Sequence, residues 1–352
     1  MRANRALIVG GTGAVGLRIT QLLAAAPDWD VSIVSRKMTS RNDGITVINA
    51  DLTDRNAVAG VLSSSAIFSH IIYAARAPHG EGVLEDVDTN LDMLKHVLQA
   101  VKPVAAKNCH VHLVEGAKWY GQHLGAYDTP TREDCPRHMP PNFYYSQQDF
   151  LEGWAEENQW SWTASRPNAV CDVVEGRARN LPSTIGAYAL ICRELGCPMD
   201  FPGSDRSFAS LTEVTDARLL ARGIAFLSTA PDARNRAFNI TNGDVFRWSQ
   251  LWPIIADWFG VPAGGPRPIK LATQMADKAD VWQAVRARHD LVAPLEAIAN
   301  WSYADFIFGQ DFDVMSDLIR IRNVGFCEAV DSREMFTAMF GAYRERRIFP
   351  NN

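Results

Sequence analysis

The segment Gly10-Gly11-Thr12-Gly13-Ala14-Val15-Gly16 follows the apolar run Ala6-Leu7-Ile8-Val9 and opens the helical pattern Leu17-Arg18-Ile19-Thr20-Gln21-Leu22-Leu23. Strand, glycine turn and helix in this order form the context of a dinucleotide site. Glycines let the backbone turn tightly and come close to a pyrophosphate, whose charge then sits on free N–H groups at the helix start. Gly10, Thr12, Gly13, Ala14, Val15 and Gly16 are the candidate phosphate-binding residues.

The chain has 352 residues, enough for one large domain or one and a half. At 47% hydrophobic and 21% charged it can bury a sizeable core. A net charge of −5 argues against nucleic acid as the main partner. No apolar run reaches membrane-spanning length, so no membrane association is expected. The first residues lead directly into a predicted strand with no apolar leader, which predicts a cytoplasmic location. The six cysteines form no Cys-x-x-Cys pair and are read as reduced, mostly buried thiols. His110 and His112 share a strand face without a third ligand nearby, so they are read as structural and no metal is expected.

Strand-like and helix-like segments alternate through the first half, which predicts βα units and a parallel sheet. Strands are expected at 5–10, 30–35, 45–49, 68–74, 110–115 and 160–166, and helices at 14–26, 54–62, 86–101 and 144–158. Several strands are continuous apolar runs, as in a sheet covered on both faces. Beyond Arg166-Pro167 the regularity falls. Helices are expected near 184–195 and at 213–228, 248–259, 271–287 and 333–345, with short strands at 168–172 and 237–240. The fold class is therefore α/β: a Rossmann-type doubly wound sheet over 1–170, and a smaller, mainly helical substrate-binding cap over 171–352 that interleaves in part with the first region. A homodimer is the candidate assembly.

The choice between the two nicotinamide cofactors is read at the end of the second strand. Asp30 lies about 20 residues after Gly10, the usual interval for a ribose-binding acid. It begins the strand, however, and so points away from the cofactor end. The strand finishes at Ser35-Arg36-Lys37, where a hydroxyl and two cations suit the 2′-phosphate of NADP(H). Asp51-Leu52, after the third strand, can reach the adenine, although Asp51, Thr53 and Asp54 are equally candidate helix caps. Tyr73 and Ala74 end the fourth strand beside the expected cofactor.

Short-chain dehydrogenases usually carry Tyr-x-x-x-Lys on one helix. Here Phe143-Tyr144-Tyr145-Ser146-Gln147-Gln148-Asp149 has the tyrosines, with Gln148 and Asp149 where the lysine would stand. The candidate cation is Lys118, just past the fifth strand and so at the cofactor edge of a doubly wound sheet.

These segments resemble the progesterone 5β-reductase and iridoid synthase (PRISE) group of extended short-chain dehydrogenases. The likeness rests on Gly11-Thr12-Gly13-Ala14-Val15-Gly16, Ser35-Arg36-Lys37, Lys118-Trp119-Tyr120 and Asn142-Phe143-Tyr144-Tyr145-Ser146-Gln147-Gln148-Asp149. It continues in Ala237-Phe238-Asn239-Ile240-Thr241-Asn242-Gly243-Asp244-Val245-Phe246-Arg247-Trp248 and covers nearly the whole chain. The chain departs from the group at Trp119, where the family has histidine, at Gln148, where it has glutamate, and in a shorter segment between Lys118 and Tyr144.

The resemblance implies hydride transfer from NADPH to the β-carbon of an enone or enal. Tyr144 would stabilise or protonate the enolate oxygen, and Lys118 would lower the phenol pKa and bind the nicotinamide ribose. Pro167 and Ala169 would touch the nicotinamide through backbone groups. The implied partner is a small, apolar carbonyl compound. Its candidate pocket residues are Trp119, Tyr120, Phe201, Phe208, Trp301, Phe308 and Phe312. A carbonyl reductase or epimerase on the same scaffold, and a non-catalytic NADP sensor, are the rival readings.

Overall fold

Residues Asn4–Val9 form a strand (β1) whose last four side chains are fully excluded from solvent. Such a strand needs a neighbour on each edge and cover on each face. The computed structural model, which describes residues 4–36, 43–63, 67–77, 85–174, 176 and 179–351, supplies all four. Strands β2 (Trp29–Ser35), β3 (Thr46–Asn49), β4 (Phe68–Tyr73), β5 (Ala105–Val114), β6 (Ser161–Arg166) and β7 (Arg236–Asn239) join β1 in one sheet. Its order is β7-β6-β5-β4-β1-β2-β3, and every pairing is parallel. The order reverses beside β1, the topological switch point at which open α/β sheets bind ligands.

Alternation along β1 separates two cores. Leu7 and Val9 face helices α2 (Arg55–Leu62), α3 (Val87–Val101) and α4 (Phe143–Asn158) through Val58, Leu94, Val97 and Leu151. Ala6 and Ile8 face α1 (Ala14–Ala25) and the helix Ala217–Thr229 through Ile19, Leu220 and Ile224. A third core belongs to the cap. It is built from α5 (Leu181–Leu195), Trp248–Trp258 and Ser332–Glu345 around a ring cluster of Phe201, Trp248, Trp252 and Phe308.

The elements expected of the first half are present, with ends shifted by a residue or two. The exception is β5, which begins at Ala105 rather than 110. The expected helix 271–287 is two helices, Leu271–Gln274 and Ala279–His289. The expected helix 213–228 begins at Ala217, because Asp216 caps it by accepting from the amides of Arg218 and Leu219. The strand expected at 237–240 returns to the main sheet beside β6. His110 and His112 are buried and bond to a ladder of hydroxyls on β6: Ser161 and Thr163 for the first ring, Thr163 and Ser165 for the second. Burial holds both imidazoles well below their ordinary pKa, His112 at about 3, so both are neutral and structural. All six cysteines are free thiols.

Candidate active site

A cleft of about 820 Å³ runs along the carboxyl edge of the sheet. At one end are Gly10, Thr12, Gly13, Ala14 and Val15, with Ser35, Arg36, Asp51, Leu52 and Ala74 beside them. Gly10 has φ +84°, and a Cβ there would lie 2.9 Å from the Ala74 carbonyl. Only glycine fits so close to the end of β4. The Gly13 amide donates to the Gly10 carbonyl at 2.8 Å, which closes the turn. No side chain caps α1, and its first turn has no acid. Its amino end therefore faces the cleft ready for an anion. Together with Arg36, these residues fit a dinucleotide pyrophosphate flanked by an adenosine phosphate.

Gly16 is outside the cleft lining. A Cβ there would lie 2.2 Å from the Gly10 oxygen, so it lets helix and turn pack together rather than meeting a ligand. Asp30 pairs with Arg5 at the opposite edge of the sheet, 3.6 Å away. Asp51 accepts from the amide and hydroxyl of Thr53, which, with Arg36 adding, hold its carboxyl below the usual range. The cap of α2 is Asp54. Tyr73 is a correction: it is 1% exposed in the core below β4 and does not line the cleft, whereas Ala74, Ala75 and Arg76 do. Lys37 lies outside the described residues.

At the other end, the carboxyl ends of β5 and β6 meet α4. The Ala117 amide donates to the Pro167 carbonyl at 3.1 Å and draws the turn Ala117–Tyr120 against β6. Asn142 caps α4 by accepting from the Tyr144 amide at 3.1 Å, and its own amide donates to the Lys118 carbonyl at 2.9 Å. One side chain thus ties the lysine turn to the tyrosine helix. Both Lys118 and Tyr144 line the cleft, as do Pro167, Asn168 and Ala169. The Tyr144 hydroxyl stands over Gly116, where a Cβ would lie 3.3 Å from it. Among the described residues no hydrogen bond occupies that hydroxyl.

The electrostatics differ from the expectation for Lys118. Its ammonium is ion-paired with Glu85, which Arg76 also approaches at 3.5 Å. Burial pushes the Glu85 carboxyl up, but Lys118, with Arg76 behind it, holds it below the usual carboxylate range. Lys118 is itself lowered by burial, with Arg76 and Arg179 opposing the pull of Glu85. Burial pushes Tyr144 up to about 12, and the cations that pull against this are Arg76 and Arg179. The phenol is thus fully protonated at neutral pH and poised as a hydrogen-bond donor.

Tyr145 has a different task. Its hydroxyl donates to the Trp119 carbonyl and accepts from the His138 amide at 2.9 Å, and its ring meets Trp119 edge-on at 4.8 Å. Tyr145→Phe is expected to lower stability by about 1–2 kcal/mol and to change kcat by less than about twofold, checked by urea denaturation beside steady-state rates.

The pocket rings are also revised. Trp119 stacks on the Arg166 guanidinium at 3.7 Å, and Tyr120 donates to Asn239 at 2.6 Å. Phe201 and Phe308 belong to the cap core, Phe208 and Trp301 pack against it, and Phe312 meets Tyr127. The rings that line the cleft are Phe143, Tyr144, Tyr303 and Phe306. Glu85, Arg76, Arg179 and Asn142 escaped the sequence reading. Arg76 could have been found by its place just past the end of β4, and Asn142 as a cap-type residue before Phe143. Nothing local marks Glu85 or Arg179.

A family model described as the PRISE-like Rossmann-fold domain matches residues 46–350. The chain belongs to the PRISE family. The (S)-8-oxocitronellyl enol synthase ISY1 of Nepeta racemosa is 31% identical to this PRISE chain, over 98% of it and 93% of the relative. The 3-oxo-Delta(4,5)-steroid 5-beta-reductase of Arabidopsis thaliana is 30% identical over 98% and 93%. Among solved structures, a putative epimerase from Burkholderia cenocepacia J2315 superposes with TM-score 0.68 at 15% identity, covering 98% of this chain and all of that one (100%). RMD from Pseudomonas aeruginosa, complexed with NADPH, gives 0.66 at 14%, covering 97% and 100%. These two likenesses show the shared fold. By its family, the PRISE chain is an oxidoreductase. Among its described residues no helix is long and apolar enough to cross a membrane.

Proposed function

We propose that this chain is an NADPH-dependent reductase of activated C=C bonds in enones or enals. The observation that carries the reading is the Tyr144 hydroxyl, which no hydrogen bond occupies among the described residues, in the same cleft as a dinucleotide cradle. The relatives support it, since one is named for a 3-oxo-Delta(4,5)-steroid, a conjugated C=C–C=O system.

Gly10, Thr12, Gly13, Ala14 and Val15 would hold the pyrophosphate, and Ser35 and Arg36 the adenosine 2′-phosphate. Asp51 and Leu52 would flank the adenine, with Ala74 leaving room across the sheet. Lys118, steadied by Glu85, would hold the nicotinamide ribose, and Pro167 and Ala169 would meet the nicotinamide amide. When bound, the reduced nicotinamide supplies a hydride to the substrate β-carbon. As charge develops on the carbonyl oxygen, Tyr144 donates a hydrogen bond or its proton. Arg76 and Arg179 stabilise the charge left on the phenol.

The test is NADPH consumption with a panel of cyclic enones, enals, saturated ketones and aldehydes. Turnover confined to the conjugated compounds is the expected result. Turnover of saturated carbonyls alone replaces the reading with a carbonyl reductase, and NADPH binding without consumption replaces it with a sensor. For the cofactor choice, Arg36→Ala is expected to raise the KM for NADPH roughly tenfold and to leave that for NADH within about twofold. Equal effects on the two would remove Arg36 from phosphate recognition.

A further inference from the structure

We infer that the substrate carries a carboxylate and that Arg179 anchors it. This inference rests on the reductase reading, and it names the substrate class of that same site. Arg179 precedes α5 and lines the cleft with Tyr303, its guanidinium 4.9 Å from the centre of that ring. The ring lies beside the guanidinium, whose N–H donors can meet a planar anion, and a bidentate carboxylate suits their fork.

Charge balance points the same way. Among the described residues three cations, Arg76, Lys118 and Arg179, stand at this end of the cleft. Glu85 answers the first two by ion pairing, and among the described residues no carboxylate pairs with Arg179. Glu115, also at this end, is paired to Arg166. Phe143, Phe306, Ile307 and Met93 supply apolar wall. An apolar cleft whose described lining carries more positive than negative charge favours a small hydrophobic anion over a neutral molecule of the same shape. Arg179 and Arg76 both act on the ionisation of Tyr144 and Tyr303, which puts them within electrostatic reach of the reacting end. The phosphates would have their own reader in the amino end of α1 and in Arg36, so Arg179, beside its effect on the phenol, is available to the substrate.

The test uses (4-oxocyclohex-2-en-1-yl)acetic acid and its methyl ester, a pair that differs in one charge. At low salt the full-length enzyme is expected to prefer the acid in kcat/KM by about tenfold or more, mostly through KM. Arg179→Gln is expected to bring the acid-to-ester ratio close to unity, and Arg179→Lys to keep part of it. Equal use of acid and ester by the wild type overturns the anchor. So does a preference that survives Arg179→Gln, or a loss in that variant of NADPH affinity with the preference intact, which would assign Arg179 to the phosphates. Titration calorimetry of the two saturated products, (4-oxocyclohexyl)acetic acid and its methyl ester, into NADP⁺-loaded protein reads the anchor without turnover. If neither enone is reduced, the reductase reading fails. Tighter binding of the acid product, lost in Arg179→Gln, would still sustain the anchor, and equal binding would overturn it.

Discussion

Tyr144→Phe is expected to lower kcat with an enone about 10²–10³-fold, while the dissociation constant for NADPH changes by less than about twofold. The substitution removes one oxygen and keeps the ring, which packs against Phe143 with centroids 4.2 Å apart. The lost hydroxyl stands at the junction of β5, β6 and α4, where the Gly116 and Pro167 backbones leave room for it. Its donor is preorganised by Asn142, which fixes the first turn of α4 to the lysine turn. A donor aimed at developing oxyanion charge contributes about 3–4 kcal/mol to the barrier. Tyr145→Phe serves as the matched control, because that neighbouring hydroxyl is spent on Trp119 and His138. Steady-state rates and fluorescence titration of NADPH check both variants. Equal kcat losses at the two positions would mean that the helix, not the phenol, is what matters.

Arg166→Met is expected to cost about 3–5 kcal/mol of stability, because it strips a buried carboxylate of its partner. Arg166 is 2% exposed, at the end of β6. Its Nε donates to Glu115 at 2.7 Å, one terminal nitrogen to the Tyr120 hydroxyl at 3.1 Å and the Glu133 carbonyl at 3.2 Å, and the other to Gln148 at 3.0 Å. Trp119 covers its face. Burial pushes Glu115 up to about 7 against the pull of Arg166. With the cation gone, Glu115 would have to take up a proton or remain buried and charged. The double variant Arg166→Met, Glu115→Gln is therefore expected to recover about 1–2 kcal/mol. Urea midpoints at constant slope measure both. A single variant within about 1 kcal/mol of wild type would show that the network adds nothing. Gln148 lies one turn beyond Tyr144 on α4, so the single variant is also expected to loosen that helix around Tyr144.

This network contains one departure from the family pattern. The resemblance places a glutamate at position 148, and the chain has Gln148, whose carbonyl oxygen still accepts from Arg166. The charged partner of Arg166 is Glu115, just past the end of β5.

The parts of the molecule legible in the sequence are those set by local pattern. The apolar run and glycine turn at the amino end mark β1 and α1, because turn geometry and helix start are short-range properties. Lys118 is legible because it stands just past the fifth strand, whose carboxyl end faces the cleft in a parallel sheet, and Tyr144 because it stands in the tyrosine motif that the chain shares with the family it resembles. Parts set by distant contacts were not legible. Tyr73 ends its strand, as read, but strand alternation turns its side chain into the core. The aromatic residues of the second half are too numerous for composition to separate Tyr303 and Phe306, which line the cleft, from Phe201 and Phe308, which fill the cap. Glu85 becomes the partner of Lys118 only because β4 and β5 are neighbours, and their 33-residue separation carries no periodic signal.

The most direct measurement of the central claim is the fate of the transferred hydrogen. With NADPH deuterated at C4 of the nicotinamide and a cyclic enone as substrate, the product is analysed by deuterium NMR. Deuterium on the carbon β to an intact carbonyl is the expected result. Deuterium on a carbinol carbon, or an enone returned unlabelled while the cofactor is bound, would contradict it.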